Sequence, residues 1–514
     1  MNTSNLVGSV QSALRTPGLS LWLLVTVPFL CLAYSVIYNL YFHPLAKIPA
    51  PWYCRITRLP WDYWQLTGYL HKHTKRLHFQ YGEVVRLAPN ELSFASAQAW
   101  HDIFGYNKGK VQWPRHPARV PQGNNGNLKS ILNTPPEEHA RFRRLLNHAF
   151  SEKGLQEQEP LINKYINLFI KKVGEISKRG QPVDFTSWLQ MLSFDIISDL
   201  GWNEPFNCVE KEQEHSWIQT IAATAFESQL KLVFREWGIV KLAPYFIPKH
   251  MLLARIKNFK YAKARVEDRL NSGSVRGDFW DRIIIKSGDN NEAGEGLTKA
   301  EMMVTAVTLV GTGSNTVSTL LTGLSYFLGN NPHCLKKLCE EIRATFKHDN
   351  EINIPAAAHL EYLNACLNES MRLYPPVLNL LWRVPPRGGG EVCGRWIPEM
   401  TSVNISLPAM WEDPKNFARP NDFCPERFLA NKPAEFANDN MACFKPFGIG
   451  TMNCLGQNLA NAQARLILAK LFLNYDMELD RTNTPADWLN QKAWAVFVKN
   501  HVYVRFTEAQ KQEA

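Results

Sequence analysis

From Leu21 to Phe42 the chain runs LWLLVTVPFLCLAYSVIYNLYF without a charged residue. A helix needs about twenty apolar residues to cross the hydrocarbon core of a bilayer. Residues 21–42 are therefore expected to form a single transmembrane anchor. Pro28 is tolerable inside a membrane helix, and Tyr34, Tyr38, Tyr41 and Phe42 make an aromatic belt for one interface. No small-residue cleavage site precedes His43, which favours a retained anchor over a removed signal peptide. Arg15 alone lies before the segment, whereas Lys47, Arg55 and Arg58 follow it, so the body belongs on the cytosolic side. Residues 1–20 then form a short lumenal N-terminus. Residues 43–51, HPLAKIPAP, read as a stiff proline-restricted stalk, and residues 52–514 as the body.

Nothing divides that body. With 45% hydrophobic and 20% charged residues it is too apolar to be disordered, and no Gly/Ser or Pro-rich linker interrupts it. The net charge of +10 is spread over short clusters such as Arg141-Arg143-Arg144 and Lys336-Lys337. Such a surface suits anionic lipid or an acidic protein partner. Nucleic-acid binding is excluded, because it calls for a basic stripe with a recognition motif and neither is present. The ten cysteines contain no CxxC pair and no zinc-like spacing with histidine, as in a reduced, cytosol-facing protein whose cysteines are mostly small buried residues.

The local patterns predict a mainly α body with small β-sheets. Residues 83–87 and 91–94 read as short strands around the Ala88-Pro89-Asn90 turn. Glu137 to Phe150 is a helix with Phe142, Leu145, Leu146 and Ala149 on its apolar stripe. A long helix from Thr298 to about Leu328 opens on a Thr298-x-x-Glu301 capping box, and another spans about Asn458 to Leu473. The apolar stretch Trp237 to Ile247 is either core or a loop that dips into the bilayer.

The stretch Phe444-Lys445-Pro446-Phe447-Gly448-Ile449-Gly450-Thr451-Met452-Asn453-Cys454-Leu455-Gly456 sets three glycines around one cysteine, just before a helix. Glycine lets backbone approach a flat ligand closely, and a thiolate before a helix start is stabilised by free N–H groups. An axial sulfur ligand to haem iron needs both. Taken alone, the pattern also fits a glycine turn beside a small buried cysteine.

This loop resembles the haem-binding signature of the cytochrome P-450 family, Phe-x-x-Gly-x-Arg-x-Cys-x-Gly, at Phe447, Gly450, Cys454 and Gly456. Other segments resemble the family in the same order. Glu369-Ser370-Met371-Arg372 is similar to its Glu-x-x-Arg helix, Pro425-Glu426-Arg427-Phe428 to its Pro-Glu-Arg-Phe element, and Thr312 to Thr316 to its oxygen-activating helix. His139-x-x-x-Arg143 and Arg383 fall where propionate-binding residues are usual. The resemblance covers nearly the whole chain and has the style of fungal microsomal, secondary-metabolism members such as the isotrichodermin hydroxylase-like group. It implies a helix-rich triangular body with haem b between the oxygen-activating helix and the cysteine loop, and Cys454 as iron ligand. It also implies a structural triad of Glu369, Arg372 and Arg427, and oxygen chemistry at Thr316, Asn315 and Thr312.

Three positions depart from the pattern. Met452 stands at the signature's arginine, removing one expected propionate partner and leaving haem to cationic His139, Arg143 and Arg383. Gln463 replaces an acid often found after the cysteine. Asn315 replaces the acid of the acid–alcohol pair that relays protons during oxygen activation, and Thr312 replaces a small residue. Thr308, Thr312 and Thr316 stack on one helix face, so Thr312 is expected either to order water in the acid's place or to bond back one turn.

By this resemblance the chain is a monooxygenase acting on a hydrophobic small molecule, a terpenoid or polyketide, at the endoplasmic reticulum membrane. Electrons come from NADPH through NADPH-cytochrome P-450 reductase. Expected pocket segments are 111–127, the helix around Met303 and Val307, 377–382 and 493–498, with Trp113, Leu380, Trp382, Trp494 and Val496 supplying apolar walls. Asn315 also leaves room for cyclisation, desaturation or rearrangement, and with Met452 for a haem-binding scaffold impaired in catalysis.

Overall fold

A computed structural model describes residues 17–106, 112–119, 129–202, 205–273, 277–281, 283, 296–378 and 382–510. Its first helix, α1 (Pro17–Ile37), runs on through a π turn at Tyr38–Phe42. Among the described residues it is the one helix long and apolar enough to cross a membrane, and its span from Val25 to Phe42 is almost wholly exposed. The proline-restricted stalk of residues 43–51 is docked on the body. Leu45 and Ile48 are buried among the side chains of the first sheet. Arg86 donates to the carbonyls of Asn39 (2.9 Å) and Leu45 (3.4 Å), and Arg55 to those of Leu40 (2.6 Å) and Ala46 (2.8 Å). The stalk's backbone folds through turns, Ala46 N donating to His43 O (2.8 Å) and Ile48 N to Leu45 O (3.1 Å), and two buried apolar side chains hold it to the body.

Helix α2 (Leu59–Thr67) precedes the hairpin of β1 (Val84–Ala88) and β2 (Glu91–Phe94). Then come α3 (Pro136–Leu146), α4 (Glu152–Ser177), the short β3 (Val183–Asp184), α5 (Phe185–Trp202), α6 (Ser216–Glu236), α7 (Lys249–Asn271), α8 (Lys299–Asn330) and α9 (Glu361–Leu373). The C-terminal third carries β4 (Ser402–Ile405), α10 (Gln457–Asn474), β5 (Tyr475–Leu479) and β6 (Tyr503–Glu508). Strand β2 pairs antiparallel with β1 and parallel with β4, Glu91 opposite Ser402. Strand β6 joins β3 to β5.

Helix α3 stops at Leu146, four residues short of the expected end, because Ser151 starts the next helix by accepting from Gly154 N–H (3.1 Å). Phe142, Leu145 and Leu146 are buried as predicted, and Ala149 is buried beyond the helix. The capping box at α8 is formed, Thr298 Oγ1 accepting from Glu301 N (3.2 Å) and Glu301 Oε2 from Thr298 N (2.9 Å).

The centre of the fold is the pair α5 and α8, packed antiparallel. Helix α5 is buried along nearly its whole length, its polar residues Gln190, Ser193, Asp195, Ser198 and Asp199 included. Gln190 lies level with Ser318, and Ile197 fills the slot at Gly313, where an added Cβ would sit 2.9 Å from it. Gly201 lies beside Val310. The main core joins these two helices to α4, α9 and α10.

Candidate haem-thiolate site

The cysteine loop closes on itself through backbone bonds. Cys454 N donates to Phe447 O (2.8 Å) and Asn453 N to Gly450 O (3.3 Å). Gly448 and Gly450 have φ of 72° and 79°, in the left-handed region. At Gly450 any Cβ would also collide with the carbonyl oxygen of Phe104. Gly450→Ala is therefore expected to cost at least about 2 kcal/mol, read as a fall in the thermal midpoint; a midpoint within error of wild type would show the loop to be slack. Gly456 is the N-cap of α10 and offers no side-chain cap, so the first-turn N–H groups stay available near Cys454.

Cys454 presents an accessible face while protein crowds it from behind. That burial pushes its thiol above the ordinary range, and the Gly456 N–H and Arg143 pull the other way. A thiol poised like this ionises when a metal cation takes the proton's place.

Arg143 braces the loop, Nη1 donating to Asn453 O (2.6 Å), Nη2 to Asn453 Oδ1 (2.8 Å) and Nε to Asn147 Oδ1 (2.9 Å). Arg383 is buried and lies 5.0 Å above the Phe104 ring, with Nη2 3.7 Å from Met452 Sδ. Burial and Arg115 push the Arg383 guanidinium down to about 9, and burial takes Arg115 to about 10. His139, expected to be cationic beside propionates, is held towards its neutral form while only arginines surround it. Burial, then Arg115, Arg143 and Arg383, drive its pKa down to about 4.

Arg115 escaped the sequence reading. Its backbone bridges to Arg383, and its guanidinium donates to the carbonyls of Leu132 and Ile131. The available signal was a lone arginine in the otherwise apolar segment Trp113-Pro114-Arg115. Among the described residues, none of Arg115, Arg143 and Arg383 forms an ion pair with a carboxylate. Buried cations without a counter-ion are costly, and two propionates beside the cysteine loop would supply the missing charge. The residues present fit haem.

On α8, Gly311 and Thr312 are exposed in an otherwise largely buried stretch, and Asn315 is buried. The hydroxyls of Thr308, Thr312 and Thr316 donate to the carbonyls of Val304 (2.8 Å), Thr308 (2.8 Å) and Thr312 (2.9 Å). All three thus bond back one turn, the second of the two arrangements expected for Thr312. Their oxygens remain able to accept.

The expected triad is assembled at the end of α9. Glu369 Oε1 accepts from Arg372 Nη2 (2.8 Å), Arg427 Nε (3.1 Å) and Cys424 N (2.9 Å), and Oε2 from Arg372 Nε (2.7 Å). Asp439 joins as a fourth member by pairing with Arg427 Nη1.

The expected pocket walls are only partly brought together. Residues 120–127, Val111 and Leu380 lie outside the described residues. Trp113 is core, packed with the first sheet, and Trp382 is core beside Trp61 and Arg119. Both were misplaced because an apolar aromatic fits a pocket wall and a core equally well in sequence. Met303, Val307, Trp494 and Val496 keep accessible surface. A separate cavity of about 550 Å³ lies against the cysteine loop, lined in part by Asn368, Lys432, Lys445, Phe447 and Gln457.

Residues 49–505 match the family model "Cytochrome P-450". The chain is 55% identical to cytochrome P-450 monooxygenase vrtK of Penicillium aethiopicum, over 98% of this chain and 93% of that protein. It is 40% identical to versicolorin B desaturase of Dothistroma septosporum, over 93% and 91%. It is 36% identical to averantin hydroxylase of the same organism, over 95% and 90%.

Proposed function

This chain belongs to the cytochrome P-450 family, and we propose that it oxidises a hydrophobic secondary metabolite with haem b bound at Cys454. Its relatives are fungal monooxygenases, desaturases and hydroxylases, and the chain is an oxidoreductase. The observation that carries the reading of the site is the convergence of Arg115, His139, Arg143 and Arg383 on the Cys454 loop without a carboxylate among their partners.

Bound haem supplies the electron and oxygen chemistry; the chain supplies what surrounds it. Cys454 is the iron ligand. Arg115 and Arg383 hold the propionates as charge-assisted donors, with His139 as a further donor. Arg143 positions the loop through Asn453. Phe447, Gly450 and Gly456 keep the loop low enough for a flat ring to approach. Because Arg115 stands in for the arginine missing at Met452, the impaired-scaffold reading loses much of its motive. Arg383→Leu is expected to speed haem transfer to an apoglobin acceptor by roughly tenfold or more, and an unchanged rate would remove Arg383 from the site.

The body is read as lying on the endoplasmic reticulum membrane, facing the cytosol. Trp52, Leu59 and Tyr63 are exposed near the anchor, as are Trp237, Ile239, Leu242, Tyr245 and Phe246. Trp237 Nε1 donates to Asp62 Oδ2 (2.8 Å), which joins the two groups into one apolar surface. The stretch Trp237 to Ile247 is therefore largely exposed rather than core, with Ala243 and Ile247 its buried members. Lys432 and Lys445, in the cavity behind the cysteine loop, suit the acidic face of a flavoprotein reductase that passes on electrons from NADPH.

Desaturation is a second outcome of the same chemistry, favoured by the desaturase relatives. The test is reconstitution of the full chain in vesicles with haem, NADPH and a microsomal reductase, against a panel of polyketides and terpenoids that includes versicolorin B. A product that gains one oxygen identifies hydroxylation, and one that loses two hydrogens identifies desaturation. NADPH use no greater than in Cys454→Ala with every compound overturns the proposal.

A further inference from the structure

Along the buried interface between α5 and α8, three polar groups have no hydrogen-bond partner among the described residues. They are Gln190 Nε2, Ser193 Oγ and Ser314 Oγ, in residues no more than 4% exposed. Their order along the interface follows from the antiparallel packing. Gln190 is level with Ser318 and Ile197 with Gly313, so Ser193 and Ser314 lie in the interval between. Ser314 and Ser318 are one turn apart on the same helix face. Buried polar groups of this kind are completed by ordered water.

An ionisable group closes the outer end. Lys499 Nζ donates to Gln190 Oε1 (2.5 Å) and Ser318 Oγ (2.7 Å). Ser318 Oγ in turn is within donating distance of Gln190 Oε1 (2.7 Å) and Asn315 O (3.0 Å). Lys499 keeps some accessible surface although its amine is enclosed, so the seam ends close to solvent. At the inner end lies the exposed Gly311–Thr312 stretch, beside Asn315 and Thr316.

We infer that this polar seam conducts protons from solvent to the Asn315–Thr316 site, with Lys499 as the ionisable group that Asn315 cannot be. The inference rests on the proposed reading of α8 as the oxygen-activating helix. The threonine hydroxyls all bond back within α8, so the seam is the polar connection to solvent that geometry offers on the α5 side. Lys499 would act through Ser318, Gln190 and water, which makes it a positioning and proton-supplying residue. Burial pushes its amine down to about 7 against the upward pull of Glu214. The other charged groups near it are His501 and the Asp184 carboxylate that His501 contacts at 2.7 Å. The ammonium form, which can donate, therefore fades as pH rises through neutrality.

The test needs no substrate. Dioxygen leaves as hydrogen peroxide after taking two electrons and two protons, or as two waters after four of each, the electrons coming from NADPH through a reductase. Peroxide release and oxygen uptake are measured for the full-length, haem-loaded protein in vesicles. In wild type the peroxide share is expected to rise with pH through neutrality. In Lys499→Met water formation should fall roughly tenfold and lose its pH dependence. Lys499→Arg keeps the hydrogen bonds but stays charged, so it should fold like wild type and also lose the pH dependence. Wild-type pH profiles in both variants overturn the relay. The carbon monoxide spectrum separates the two ideas: a wild-type protein without a thiolate band overturns the haem reading, whereas a normal band with unchanged variant profiles overturns the relay alone.

Discussion

Glu369→Gln is expected to destabilise the protein by about 3–5 kcal/mol, a large part of the roughly 5–15 kcal/mol that holds a typical protein folded. The carboxylate lies fully buried and accepts four hydrogen bonds, from Arg372, Arg427 and the Cys424 N–H. Glutamine keeps the shape but removes the charge. Arg427 would still have Asp439. Arg372 would have only neutral acceptors, the glutamine amide oxygen and the carbonyls of Trp411, Pro420 and Asp422, so its uncompensated buried charge is the main source of the loss. These carbonyls belong to the segment leading to Pro425–Phe428, and the damage should spread towards the cysteine loop. The expected readout is little folded holoprotein and a thermal midpoint many degrees lower. Because the residues act as a unit, Glu369→Gln with Arg372→Gln should cost less than the two single changes added together. Strict additivity, or a stable Glu369→Gln protein, would show that the cluster is not a coupled network.

Cys454→Ala is the second large effect. The substitution removes the sulfur without disturbing the Phe447–Cys454 backbone bond or the fold of the loop. Reduced wild-type protein exposed to carbon monoxide is expected to show the strongly red-shifted Soret band of thiolate ligation, and the variant to lack it. NADPH-driven product formation should fall to background while the thermal midpoint moves by no more than about 1 kcal/mol in equivalent stability. If the variant keeps the band, another ligand holds the iron and the site has been misread. If wild type shows a histidine-type band, the crowding that raises the Cys454 thiol has prevailed over Arg143 and the Gly456 N–H.

Much of this molecule was legible one residue at a time. The uncharged run to Phe42, the capping box at Thr298, the turn glycines Gly448 and Gly450 and the cysteine before α10 each follow from rules of short range. Their order along the chain carried the family resemblance, and the Glu369–Arg372 spacing announced an ion pair on one helix turn. What escaped depends on which distant surfaces meet. Arg115 became a partner of Arg383 only through a backbone bridge between segments far apart in the sequence. The pKa of His139 is pushed down because a buried setting and three arginines gather round it. Trp113 and Trp382 became core instead of pocket wall, Leu45 and Ile48 drew the stalk onto the body, and Lys499 met Ser318 across the α5–α8 seam. The sequence by itself determined the apolar N-terminal helix, most helical elements, the glycine turns around Cys454 and the family. The tertiary structure alone decided which charges are paired, neutralised or left exposed, because burial and Coulomb interaction depend on neighbours that no local pattern names.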